Sequence, residues 1–159
     1  MCNETTNRRF LLEVALATSE LDELVSKGPI DFDGFVKEFR KFDWSGEVIR
    51  EYWNKKLTPA MSVTNQDNGS TLWTSAWDWL RLLNPAAGPA HTPALSFIVG
   101  LDNGPNPPDI YCRKEDRDLA DWQFNAGSLQ VVEDLFSIYF RERYDELYQQ
   151  LFYLPVLDS

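Results

Sequence analysis

His91 is the sole histidine of this chain, and Cys2 and Cys112 are its only cysteines. Any zinc site, Ser-His-Asp triad or Cys-His pair would have to be built around that one imidazole. It lies within Asn84 to Pro93, a stretch with three prolines, one glycine and three alanines that reads as a surface loop. Cys112 follows Tyr111 on an expected strand, where a small buried hydrophobe explains it without chemistry and no nearby histidine would activate it. Two cysteines are too few for a disulfide framework and suit reduced thiols. The patterns GxxxxGK[ST], GxGxxG, GxSxG and HExxH are absent, which removes support for phosphate cradles, nucleophile elbows and zincin-type sites.

Carboxylates remain, because two acids divide acid and base roles when their surroundings push their pKa values apart. An acidic chain holds many such pairs by chance. Asp31-Phe32-Asp33 fits helix capping and Asp102-Asn103-Gly104 fits a turn, whereas a calcium loop needs a longer alternation of oxygen ligands and a terminal Glu. No cofactor and no metal are therefore expected, and the chain is read as a non-enzymatic protein.

The most informative cluster is Glu115, Asp116, Asp118, Asp121 and Trp122, four acids and a tryptophan within eight residues. Grouped carboxylates steer a basic partner, and a neighbouring aromatic supplies desolvated contact area. The same composition also suits a solvated connection. Charge is uneven: residues 1–60 carry 11 acids and 9 bases, net −2, and residues 61–159 carry 14 acids and 6 bases, net −8. The sum, −10 over 159 residues, opposes nucleic acid and anionic membrane surfaces as partners. No apolar run approaches a membrane span of roughly 20 residues. Arg8-Arg9 before Phe10-Leu11-Leu12 resembles the start of a signal peptide, but Glu13 interrupts it, so a cytoplasmic location is expected.

The elements that would position these groups follow from periodicity. Phe10, Val14, Ala17, Leu21 and Leu24 recur at steps of four and three, predicting a helix from Thr6 to Ser26 that Gly28-Pro29 stops. Phe32, Phe35, Val36 and Phe39 mark a second helix with Asp31 and Asp33 at its amino end, and Ser45 caps a third that ends before Pro59. Asn68-Gly69 then joins two strands, with Met61, Val63, Leu72, Thr74 and Ala76 on one side and Trp73, Ser75 and Trp77 on the other. Counting outward from that turn sets Asn65 opposite Leu72, and Trp77 to Leu83 fits strand or helix equally. Leu95 to Leu101 and Ile110 to Cys112 are further strands. Ser128 caps a long terminal helix in which Leu129, Val132, Phe136, Phe140, Leu147 and Leu151 keep the helical period, with Glu133 and Asp134 suited to its amino end; Pro155 stops it.

The expected fold is therefore a single α+β domain over 1–159, a central antiparallel sheet of three or four strands with amino-terminal helices and a long carboxy-terminal helix packed on it. Trp73 and Trp77 need cover, from core or from a partner. With the pattern Leu72-Trp73-Thr74-Ser75-Ala76-Trp77 and the aromatic terminal helix Phe136-Ser137-Ile138-Tyr139-Phe140 in so acidic a chain, the sequence resembles in type the immunity proteins that bacteria pair with polymorphic or contact-delivered toxins. That resemblance implies a protein partner, often a basic toxin domain, neutralised by tight binding. Two other classes compete: a small carboxylate-dependent enzyme acting on carbohydrate, and a homo-oligomeric adaptor that buries its aromatic last helix between copies.

Overall fold

Phe10, Leu12 and Val14 alternate with Leu11, Glu13 and Ala15, and in the computed structural model that alternation makes a strand, β1 (Phe10–Ala15). The structure describes residues 9–16, 24–54, 58–78, 94–102 and 123–157. The first correction to the sequence reading lies here, because the expected amino-terminal helix is replaced by β1 and β2 (Val25–Pro29). A step of four in a helix is also an even step in a strand, so Phe10 and Val14 share a face in both geometries. The inclusion of Leu12 among the fully buried side chains belongs to the strand alone.

Helices α1 (Phe32–Lys41) and α2 (Trp44–Asn54) follow. The Asp31 carboxylate accepts the Gly34 N–H at 2.7 Å and caps α1 as expected. The cap of α2 is Asp43 and not Ser45: its Oδ1 accepts the Gly46 N–H at 3.1 Å and its carbonyl accepts the Glu47 N–H at 2.9 Å. The chain then forms β3 (Ala60–Asn65), β4 (Thr71–Asp78), β5 (Leu95–Asp102) and β6 (Gln123–Gly127).

Two helices, α3 (Leu129–Phe140) and α4 (Tyr144–Phe152), and a two-residue strand β7 (Val156–Leu157) complete the described order. Ser128 caps α3 through a bond from the Val131 N–H at 3.3 Å, as its sequence position predicts. The single long terminal helix is not formed. At the break, Glu142 adopts φ 57°, the Glu142 N–H donates to Tyr139 O at 2.9 Å, and the Arg143 N–H donates to Ile138 O at 3.2 Å. This is the Schellman pattern of helix termination, usually built on glycine. Glu142 replaces the missing conformational ease with side-chain partners, the Asn65 amide at 2.8 Å and Arg9 at 3.1 Å.

The sheet has seven antiparallel strands in the order β2-β1-β3-β4-β5-β6-β7, more than the three or four expected. The expected strand Ile110 to Cys112 lies outside the described residues. The β3–β4 hairpin keeps the predicted faces with a register moved by two: Val63 pairs with Leu72, and the Asn65 N–H bonds Ser70 O at 2.8 Å. Its loop is Gln66 to Gly69, and Gly69 sits at φ 76°, where a side chain would be strained.

The helices lie on one face. Phe10, Leu12, Met61, Val63, Leu72, Val99, Leu101 and Phe124 meet Phe35, Phe39, Trp44, Val48, Phe136, Tyr139 and Leu147 in one cluster. Phe35 bridges the helices, stacked on Phe136 with ring centroids 4.1 Å apart, and Phe39 and Trp44 both approach Phe97 edge-on at 5.5 Å. Glu133, expected to serve the helix dipole, is instead buried and gripped by Arg40 of α1 through two bonds of 2.7 and 2.8 Å. The pair ties α3 to α1, and its hydrogen bond and charge raise the Arg40 pKa further.

Candidate functional site

The second face of the sheet carries the two tryptophans that the sequence singles out. Trp73 and Trp77 lie four residues apart on β4, about 13 Å along a strand, and both are half-buried. Trp73 lies opposite Gly100 of β5 and Ser62 of β3. Its indole spreads over Gly100: a Cβ there would overlap the Cε2, Cζ2 and Nε1 atoms. Glycine is therefore what lets the ring lie flat on the neighbouring strand.

Around them the face is polar. The Thr64 and Thr71 hydroxyls are 2.8 Å apart, the Ser75 hydroxyl donates to Pro59 O at 2.7 Å, and the Ser96 hydroxyl donates to Asn125 Oδ1 at 2.9 Å. The Trp77 Nε1–H is buried with no hydrogen-bond partner among the described residues. The two tryptophans are thus held on the face opposite the helices and stand outside the aromatic cluster. Residues 79–83, whose strand or helix character the sequence leaves open, lie outside the described residues.

Glu115, Asp116, Asp118, Asp121 and Trp122 also lie outside the described residues, together with Cys2, His91 and Cys112. What the fold does define is where the acidic segment is tied. It leaves β5 at Asp102, which pairs with Thr71 beside the β3–β4 turn, and re-enters at Gln123 on β6, the strand next to β5. Among the described residues no group of three or more His, Cys, Asp or Glu is placed to hold a metal ion.

The end of the sheet from which that segment departs holds a polar network that sequence reasoning missed. The Tyr144 hydroxyl meets Asn65 Nδ2 at 3.1 Å, Asn68 Nδ2 at 3.0 Å and Ser70 Oγ at 3.1 Å. The Tyr139 hydroxyl reaches two carbonyls, Val63 O at 2.9 Å and Ser70 O at 2.8 Å, and burial pushes its pKa well above the ordinary tyrosine value. Burial, with the neighbouring Tyr144 and Asp145, also pushes Tyr148 up to about 12. These groups come from Arg9, residues 65–70 and residues 139–144, too far apart in sequence for any spacing rule to join them. The Tyr139, Glu142 and Tyr144 contacts with residues 63–70 fasten the β3–β4 hairpin to the α3–α4 junction.

Two concavities flank the α1–α2 corner, with Phe42 and Asp43 on the ridge between them. One, about 310 Å³, opens toward β1 and β2; the other, about 510 Å³, runs past Arg40 and Phe97 to Gly127 and Leu129. Nothing in the sequence marked either, since each is made from elements distant along the chain.

The aromatic last helix, read as a candidate interface between copies, turns most of its rings inward: Phe136, Tyr139 and Tyr148 are buried, leaving Phe152 and Tyr153 exposed. No described helix is long and apolar enough to cross a membrane. Comparison with protein-family models, with curated proteins and with solved structures finds no match to this chain.

Proposed function

We propose that this chain is a non-enzymatic binding protein that neutralises a partner protein, in the manner of an immunity protein against a bacterial toxin. The observation that carries the reading is the connection between β5 and β6. Neighbouring antiparallel strands need only two to five residues to join them, yet here the twenty residues 103–122 intervene. Long connections held at both ends by a packed sheet are where recognition residues concentrate. This one contains Glu115, Asp116, Asp118, Asp121 and Trp122 in a chain of net charge −10. Its carboxylates steer a basic toxin domain into encounter, and Trp122 supplies apolar contact once docked.

The test begins with the partner retained by the tagged protein from lysate of its source cells, identified by mass spectrometry. An immunity function requires that this partner arrest growth when expressed alone and that co-expression of the present chain relieve the arrest. Asp116→Lys combined with Asp118→Lys then slows association by about tenfold or more and flattens its salt dependence. A captured partner that is harmless by itself ends the immunity reading. An unchanged association rate removes this segment from the interface.

A further inference from the structure

We infer that the tip of the β3–β4 hairpin is a site of covalent modification: Asn68 deamidates through a succinimide, and its bond to the Tyr144 hydroxyl sets the rate. Asparagine is one of the thermolabile residue types. Asn68 is followed by Gly69, and both are exposed. Glycine hinders attack by its own nitrogen less than any other residue, because it has no Cβ. Space is free there as well, since a Cβ built on Gly69 would meet no atom within 4 Å. In the reaction the Gly69 nitrogen gives up its proton and bonds to Asn68 Cγ. The Cγ–Nδ2 bond then breaks, and ammonia leaves carrying that proton. Water opens the resulting ring at either of its carbonyls and leaves aspartate or isoaspartate. Water is the only co-reactant, and no electrons are exchanged.

The fold restrains each participant. The Gly69 N–H donates to Asn65 O at 2.8 Å, so the proton that must leave is already engaged. The Asn68 carboxamide is pinned at both ends: Oδ1 accepts the Ser70 N–H at 2.9 Å, and Nδ2 donates to the Tyr144 hydroxyl at 3.0 Å. Tyr144 is itself held, because its oxygen also accepts from Asn65 Nδ2 at 3.1 Å and lies 3.1 Å from Ser70 Oγ. Asn65 and Ser70 are fully buried, whereas the Asn68–Tyr144 bond is exposed. Opening that exposed bond frees the carboxamide to turn its carbon toward the Gly69 nitrogen. The product then weakens the same junction. A carboxylate at position 68 has no N–H to give Tyr144, whose single proton must serve both Ser70 and the new charge. Isoaspartate also lengthens the main chain of the turn by one carbon. None of these residues belongs to the segment 115–122, so failure of this inference leaves the partner-binding reading untouched.

The experiment incubates the full chain at mildly alkaline pH and follows each asparagine by peptide mass mapping. Exchange of NH2 for OH marks the event, and separation of the peptide into aspartate and isoaspartate isomers marks the succinimide route. Asn103–Gly104, the other pair of this kind in the sequence, is scored separately. Position 68 is expected to convert in the folded chain, more slowly by about tenfold or more than in the same chain unfolded in denaturant. Tyr144→Phe should speed conversion of the folded chain about two- to tenfold, the weight of one hydrogen bond. Asp31→Ala removes the cap bond to Gly34 in α1; it controls for general destabilisation and should leave the rate unchanged. Circular dichroism establishes that both variants fold, and the comparison of folded with unfolded native chain tests the restraint without any variant. No conversion at position 68 in the folded chain, equal rates folded and unfolded, an unchanged rate in Tyr144→Phe, or equal acceleration by Asp31→Ala overturns the inference.

Discussion

The two faces of the sheet differ in how they use aromatic side chains. On the helix-covered face Phe35, Phe39, Phe136 and Tyr139 lose essentially all contact with water and meet one another ring to ring. On the opposite face Trp73 rests on the backbone of Gly100, and the Thr64, Ser75 and Ser96 hydroxyls bond locally to Thr71, Pro59 O and Asn125 Oδ1. The first face gains its stability from volume filled by interlocking rings, where any deletion leaves a hole. The second depends on close approach, where any addition collides. The same residue class thus does opposite work on the two sides of strand β4.

That difference can be broken most sharply by truncation on the covered face. Phe136→Ala removes a fully buried ring stacked on Phe35 and should cost about 3–5 kcal/mol in denaturant unfolding. A loss under about 1 kcal/mol would mean that the face collapses around the gap. On the other face the damaging change is an addition. Gly100→Ala places a methyl into the Trp73 indole and should cost about 1–3 kcal/mol. Combining it with Trp73→Ala should recover part of that loss, because the two positions share one contact. Additive losses would show that the indole does not need the glycine.

A smaller effect sharpens the comparison at the end of the sheet, where Tyr139 of the covered face binds the carbonyls of the β3–β4 hairpin. Tyr139→Phe should cost about 1–3 kcal/mol at neutral pH by leaving Val63 O and Ser70 O without this donor. Its pH dependence has a definite sign. The unfolded tyrosine ionises near pH 10, whereas burial raises the folded value above that, so beyond about pH 10 the unfolded state holds fewer protons and stability falls. The contribution is complete below pH 10 and is lost as pH rises through the folded value; the phenylalanine variant should show a shallower alkaline limb. The smallest change expected is Asp31→Ala, which removes the cap of α1 at about 1 kcal/mol with no effect on the sheet.

How far these elements could be read in advance depended on whether the competing geometries share a pattern. Phe32, Phe35, Val36 and Phe39 fit a helix and nothing else, and α1 formed with the expected cap. Phe10 and Val14 fit two periods at once, and the strand prevailed because the edge of β3 offers six paired positions to Phe10–Ala15. The terminal helix has no glycine or proline between Leu129 and Phe152. Its break at Glu142 rests on Asn65 and Arg9, which no local rule brings near. Among the expected contact residues, Trp73 and Trp77 could be assigned a shared face from alternation alone, since a register moved by two preserves parity. The seat of Trp73 on Gly100 required the pairing of β4 with β5.

By itself, the sequence determined the acidic charge, the α+β class, the caps at Asp31 and Ser128 and the two sides of the hairpin. Each is written in residue type or in spacing over a few positions. Tertiary structure decided the number of strands, the division of the last helix, the burial of Glu133 against Arg40 and the concavities beside Phe42. Those outcomes depend on which distant segments compete for the same edge, face or partner. Local periodicity contains no term for that competition.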